Sequence, residues 1–165
     1  MVSCFLKKSA LLWFFILNAG CNVTNEQRYS DDLQQLRTRV ELDINPRVIR
    51  WEIFATPEYS GGIPGPTDFI TLIAEVPNLE QATFETRASS GVVWVAPEAA
   101  RPWLSDDFKQ ILRKYRNKSV DLSSMRNCRV ARGKLKKTGH SAEGFICNGP
   151  TKAMIYLTLA EPSES

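Results

Sequence analysis

Gly139-His140-Ser141-Ala142-Glu143-Gly144 sets the only histidine of a 165-residue chain beside a serine, between two glycines. Acyl transfer by a hydroxyl needs such a pair, one group to attack and an imidazole to take its proton. The nucleophile elbow of hydrolases requires Gly-x-Ser-x-Gly at a strand-to-helix turn, and here Glu143 occupies the place of the second glycine. A triad base also arrives from a distant segment rather than from the adjacent residue. The stretch therefore reads as a solvated hairpin turn. The acids offer no more. Glu52, Glu58 and Asp68 are scattered through strand and loop, with no spacing that would set two carboxylates across a glycosidic bond. A single histidine excludes a multi-imidazole zinc centre. The expectation is a non-enzymatic protein with no catalytic residue, metal or cofactor.

The four cysteines carry more information. Lys7 and Lys8 precede an apolar run from Ala10 to Leu17, and Asn18, Ala19 and Gly20 lead into Cys21. A basic start, a short apolar core and small residues before a cut form the secretory signal pattern. The run is far short of the roughly 20 apolar residues a spanning helix needs. Ala19-Gly20 before Cys21 resembles the lipobox of bacterial lipoproteins. That resemblance implies cleavage before Cys21 and lipidation of its thiol. Asn18 departs from the Leu usual three places before the cysteine, so ordinary secretion into the soluble periplasm is the alternative. Asn22 replaces the Asp that resembles an inner-membrane retention signal, which points to the periplasmic side of the outer membrane. Cys4 leaves with the signal, and Cys128 and Cys147 remain. In an oxidising compartment these two pair. They lack the CxxC spacing of a redox pair and the histidines of a metal site.

Charge is polarised along the chain. Discarding Lys7 and Lys8 takes the formal net charge from +3 to +1. Between Lys109 and Lys137 there are eleven basic residues and one acid, Asp121. Nucleic acid would be held by such a count, but base-stacking aromatics are thin there, with Tyr115 alone, and export removes the partner. The stretch is either a solvated face or a surface that steers a partner with an acidic rim. Arg113, Arg116, Arg129 and Arg132 are its candidate contacts. The loop Tyr59 to Pro66 is rich in Gly and Pro and lacks the Lys-Ser/Thr of a phosphate cradle. It either caps the sheet or presents Tyr59, Ile63 and Asp68 to a partner.

The elements that would carry these residues follow from periodicity. Residues 1–20 form the signal, 21–29 a polar tether, 30–160 one domain and 161–165 a polar tail. Ser30-Asp31-Asp32 starts a helix whose Leu33, Leu36 and Val40 recur at helical spacing. Arg47 to Ala55 alternates, with Trp51 and Ile53 inward and Arg50 and Glu52 outward, as a half-buried strand does. Phe69 to Val76 is a second strand, Ala82 to Arg87 a short third, and Val92 to Val95 a central one. Ser105 caps a helix with Phe108, Ile111, Leu112 and Tyr115 as its apolar stripe, and Lys114, Arg116 and Lys118 complement the dipole at its end. Pro102-Trp103 packs as a staple before it. Strands over about 126–136, 144–147 and 153–159 finish the chain, the first two joined by a turn at Thr138 to Glu143. The class is α+β, a single domain with a mainly antiparallel sheet and one or two helices packed on one face.

Arg50-Trp51-Glu52-Ile53-Phe54, Gly65-Pro66-Thr67-Asp68-Phe69 leading into Leu72-Ile73-Ala74-Glu75, and the pair Cys128 and Cys147 resemble a family of small envelope lipoproteins. These are the immunity proteins against type VI secretion lipase effectors. The resemblance spans most of Val48 to Leu159. It implies a non-enzymatic inhibitor, held at the membrane by its N-terminal lipid, that blocks an incoming lipase toxin by direct binding. The alternative is a structural or assembly lipoprotein of a cell-envelope complex.

Overall fold

A computed structural model describes residues 28–56, 69–77, 91–125 and 127–160. Within them the chain begins its fold at Asp32, whose carboxylate accepts the Gln35 amide at 2.9 Å and caps α1, Leu33–Arg39. β1 follows as Val40–Leu42, then β2 as Arg50–Thr56 and β3 as Phe69–Pro77. β4, Val92–Val95, is followed by α2, Asp106–Lys114, and β5, Lys118–Asp121. A single 3-10 turn at Leu122–Ser124 leads into β6, Cys128–Leu135, then β7, Ser141–Asn148, and β8, Lys152–Ala160. Six strands form one sheet in the order β1-β6-β7-β8-β3-β2, and β4 pairs with β5 apart from it. All these pairings are antiparallel. The α+β class expected from the sequence is the class observed.

The six-stranded sheet curls into a half-barrel, and each strand divides its side chains between two cores. One face carries Leu72, Ala74, Ala131, Ala142, Ile146, Ala153, Ile155 and Leu157. Its alanines, with Gly133 and Gly144 in the same alternation, leave room for close approach. A Cβ on Gly144 would lie 1.9 Å from the Tyr156 carbonyl oxygen, so no larger residue fits there without displacing β8. α1 packs on this face through Leu36. It begins against β2, where the Asp32 carbonyl accepts the Trp51 indole N–H at 3.0 Å. It ends against the β6–β7 turn, where the Arg39 carbonyl accepts the Lys136 amide at 2.9 Å. The helix thus spans both edges of the curl. The other face carries larger side chains, Phe54, Ile73, Phe145, Met154 and Tyr156. α2 covers it with Phe108 and Leu112, each worth about 1.5–3 kcal/mol of burial.

The two helices therefore lie on opposite faces, not on one. A sheet curled this tightly leaves its inner face open to solvent unless something bridges its edges, and α1 does so. Two short strands escaped the periodicity, β1 and β5, because three or four residues are too few to set a period. β4 is not central. Among the described residues it pairs only with β5, and Val92 is 72% exposed. α2 stops at Lys114, and Asn117 then takes a left-handed φ of 54° that turns the chain into β5, so Lys118 opens a strand instead of closing a helix. β7 starts at Ser141, and the hairpin turn is tighter than expected, with Gly139 at φ +75° donating to the Leu135 carbonyl at 2.8 Å. The expected strand at Ala82 to Arg87 lies outside the described residues.

Cys128 and Cys147 form the expected disulfide. They face each other directly in the β6–β7 register and are buried among the larger side chains. The bond closes a loop of nineteen residues across a hairpin whose strands are already paired.

Candidate functional site

The most polar part of the interior lies where β2 and β3 meet the irregular segment between β4 and α2. Pro97 and Pro102 deny that segment a regular ladder, so it must be pinned by side chains. Glu52 of β2 and Glu75 of β3 do this from the sheet. Glu52 is 6% exposed and forms a forked ion pair with Arg101, itself 5% exposed. The Arg101 Nε donates to Glu52 Oε2 at 3.0 Å, and the Trp103 indole N–H donates to the same oxygen at 2.7 Å. The Arg101 guanidinium also lies 4.9 Å from the centre of the Phe54 ring. A second attachment joins the Thr56 hydroxyl to Glu98 Oε2 at 2.9 Å. At the start of the segment the Tyr156 hydroxyl accepts the Ala96 amide at 2.9 Å and donates to the Trp94 carbonyl at 3.1 Å. Burial pushes the Tyr156 hydroxyl above the ordinary tyrosine range, so it remains a neutral donor.

Glu75 completes the strap at its other end. Ser105 occupies the first cap position of α2, yet its hydroxyl bonds to Glu75 rather than to the amides of the helix. The Lys152 ammonium lies 2.8 Å from the other carboxylate oxygen. Burial works to raise the Glu75 pKa, but the hydrogen bonds from Lys152 and Ser105 outweigh it, and the carboxyl is held below its ordinary value. It is an anion in the fold.

Beside Glu75 the surface opens into a cleft of about 420 Å³, bordered by Tyr29, Arg50, Glu75 and Lys152. Tyr29 was placed in the tether by the sequence, but it is packed. Its ring centre is 5.5 Å from that of Trp103, and the Arg50 guanidinium lies 4.5 Å over it. Ser30 then exchanges two backbone hydrogen bonds of 2.8 Å with Trp51.

The residues singled out from the sequence do not gather in one place. Arg113 and Arg116 project from α2 and the turn after it, both exposed. Arg132 is exposed, pairs with Glu143 at 3.2 Å across β6 and β7, and alternates onto the face of Cys128. Arg129 alternates onto the opposite face. Cys21, Tyr59, Ile63 and Asp68 lie outside the described residues. His140 and Ser141 are exposed at the β6–β7 turn, where the Thr138 hydroxyl accepts the His140 amide at 3.3 Å. Of the carboxylates that matter to the interior, Glu52 is expected outward from the alternation but is buried, and Glu75 is buried beside it without having been singled out. One signal pointed inward. Ile70 to Val76 is apolar at every position except Thr71 and Glu75, and a strand apolar on both faces is covered on both.

Chemically the arrangement binds and holds. Each buried acid has its oxygens engaged by cations and donors of the same chain. No group of three metal-ligating side chains occurs among the described residues. None of their helices is long and apolar enough to cross a membrane. Set against known proteins, the chain matches no family model, no curated sequence and no solved structure.

Proposed function

We propose that the protein is a lipid-anchored binding protein of the bacterial periplasm that neutralises a type VI secretion lipase effector by direct contact. The observation that carries the reading is the Cys128–Cys147 disulfide, which suits an oxidising compartment and agrees with a leader that ends just before Cys21. Its resemblance in sequence to immunity lipoproteins supplies the partner class. The engagement of Glu52 and Glu75 in structural bonds supports a binding role over a hydrolytic one. The test is a competition between sibling cells. A strain lacking the gene should be killed by a parent that delivers the lipase, and expression of the intact chain should restore survival. Full resistance of the deletion strain ends the reading.

A structural role in an envelope complex is the second reading. It is favoured by exposed arginines on α2, on the turn after it and on β6, at Arg113, Arg116 and Arg132, with Arg129 half-buried on the other face of the sheet. Reversing the charge of Arg113, Arg116, Arg129 and Arg132 would then release the protein from a co-purifying assembly.

A further inference from the structure

The cleft at the N-terminal end of β2 holds charges of both signs, of which only one pair, Lys152 and Glu75, is joined. Its volume of about 420 Å³ is in the range of small-molecule sites. Lys152 and Glu75 pair with each other at 2.8 Å, and Glu75 is further occupied by Ser105. The Lys152 ammonium is 45% exposed and has three N–H donors in all. Arg50 rests on the Tyr29 ring and forms no ion pair with a carboxylate among the described residues. Asp31 borders the same cleft, exposed, and has no cationic partner among those residues. An unpaired cation and an unpaired anion thus face one cavity. Arg50, Glu75 and Lys152 are brought together by register, since β2 pairs Arg50 with Glu75 and β8 brings Lys152 opposite Pro77. Val48, 64% exposed, and Pro77 add an apolar border.

We infer that this cleft binds a zwitterionic phosphate ester of the phosphoethanolamine class, the chemistry carried by a phospholipid headgroup. Arg50 and Lys152 donate to the phosphate oxygens. A forked guanidinium and an ammonium together suit a group with several acceptor oxygens better than a lone carboxylate. Asp31 accepts from the ligand's ammonium, and Val48 and Pro77 meet the carbons that follow the phosphate. Glu75 does not repel the anion, because its charge is spent on Lys152 and Ser105. The inference stands apart from the toxin-neutralising role and does not need it.

Trp103, its ring tilted against that of Tyr29, supplies a fluorescence report on the cleft. The protein as isolated from cells is titrated with dihexanoylphosphatidylethanolamine below its micelle point, free phosphoethanolamine, glycerol 3-phosphate and dialanine. A saturable response to the two ethanolamine esters is expected. Arg50→Gln should weaken it about tenfold, as loss of a charge-assisted pair does. Asp31→Asn should abolish the preference over glycerol 3-phosphate. Both side chains lie on the surface of the cleft, and a thermal melt verifies that each variant is folded. Tighter binding of the lipid than of the free ester assigns the ligand to the membrane, and equal affinities assign it to a soluble ester. Either result upholds the site. No saturation by the folded wild type, undiminished binding by a folded Arg50→Gln, or saturation by dialanine alone overturns it.

Discussion

Glu75 shows how one side chain ties stability to pH. Its burial alone would raise its pKa, yet the Lys152 and Ser105 hydrogen bonds leave it lowered. A depressed pKa means that the fold binds this proton less readily than the unfolded chain does. Its contribution is complete above the unfolded-chain value, about 4.3, and is lost as the pH falls through the lower folded value. The melting temperature of the wild type should therefore fall between about pH 5 and pH 3, and that of Glu75→Gln should fall less over the same range. Melting curves at several pH values check this, and parallel slopes would remove Glu75 from the account. At this scale the sequence was legible where the residue type decides the outcome. Cys128 and Cys147 have one main fate in an oxidising compartment, and Asp32 has the cap residue's short acceptor. It was illegible for Glu52, Glu75 and Arg101, whose burial depends on a cover that arrives some fifty residues later for Glu52 and thirty for Glu75.

Among elements, the strap between β4 and α2 depends on a buried ion pair, and the two halves of that pair are unequal when broken. Arg101→Leu leaves the buried Glu52 carboxyl with one donor, the Trp103 indole N–H. Removing one partner of a buried pair costs about 3–5 kcal/mol. Replacing both, as in Glu52→Leu with Arg101→Leu, should recover much of that loss, because two apolar side chains need no partners. Urea unfolding of the three variants decides it, and a double variant as weak as the single one would contradict the argument. The disulfide acts on the other side of the equilibrium. Cys128→Ala with Cys147→Ala should lower stability by about 3 kcal/mol, mainly by freeing the unfolded chain. β6 and β7 should keep their pairing, since their ladder does not rest on the sulfurs. Strands with a clear alternation, β2, β3 and β8, were readable to within three residues. β1 and β5 were not, because each is defined only by the strand it finds.

For the whole molecule, the sequence conveyed class better than arrangement. The α+β class followed from the order of apolar periods, whereas the placement of α1 opposite α2 did not; the face under α1 is lined by small residues, with Ala131 opposite Gly144 and Gly133 opposite Ala142 on neighbouring strands. The eleven cations between Lys109 and Lys137 form one stretch in sequence. The ten of them among the described residues divide in space among α2, the turn after it, β5, β6 and the turn that follows β6, so they do not form a single pole. The proposed lipid anchor is tested on the whole chain as well. Cys21→Ser should move the protein from the membrane fraction to the soluble periplasm, and unchanged fractionation would show that no lipid holds it. The strand order β1-β6-β7-β8-β3-β2 has one more consequence. Its central pair, β7 and β8, is the last to be synthesised, while both outer strands come first. A growing chain therefore has margins long before it has a middle. The sheet closes only once β8 has been made, so its long-range pairings all wait on the last strand.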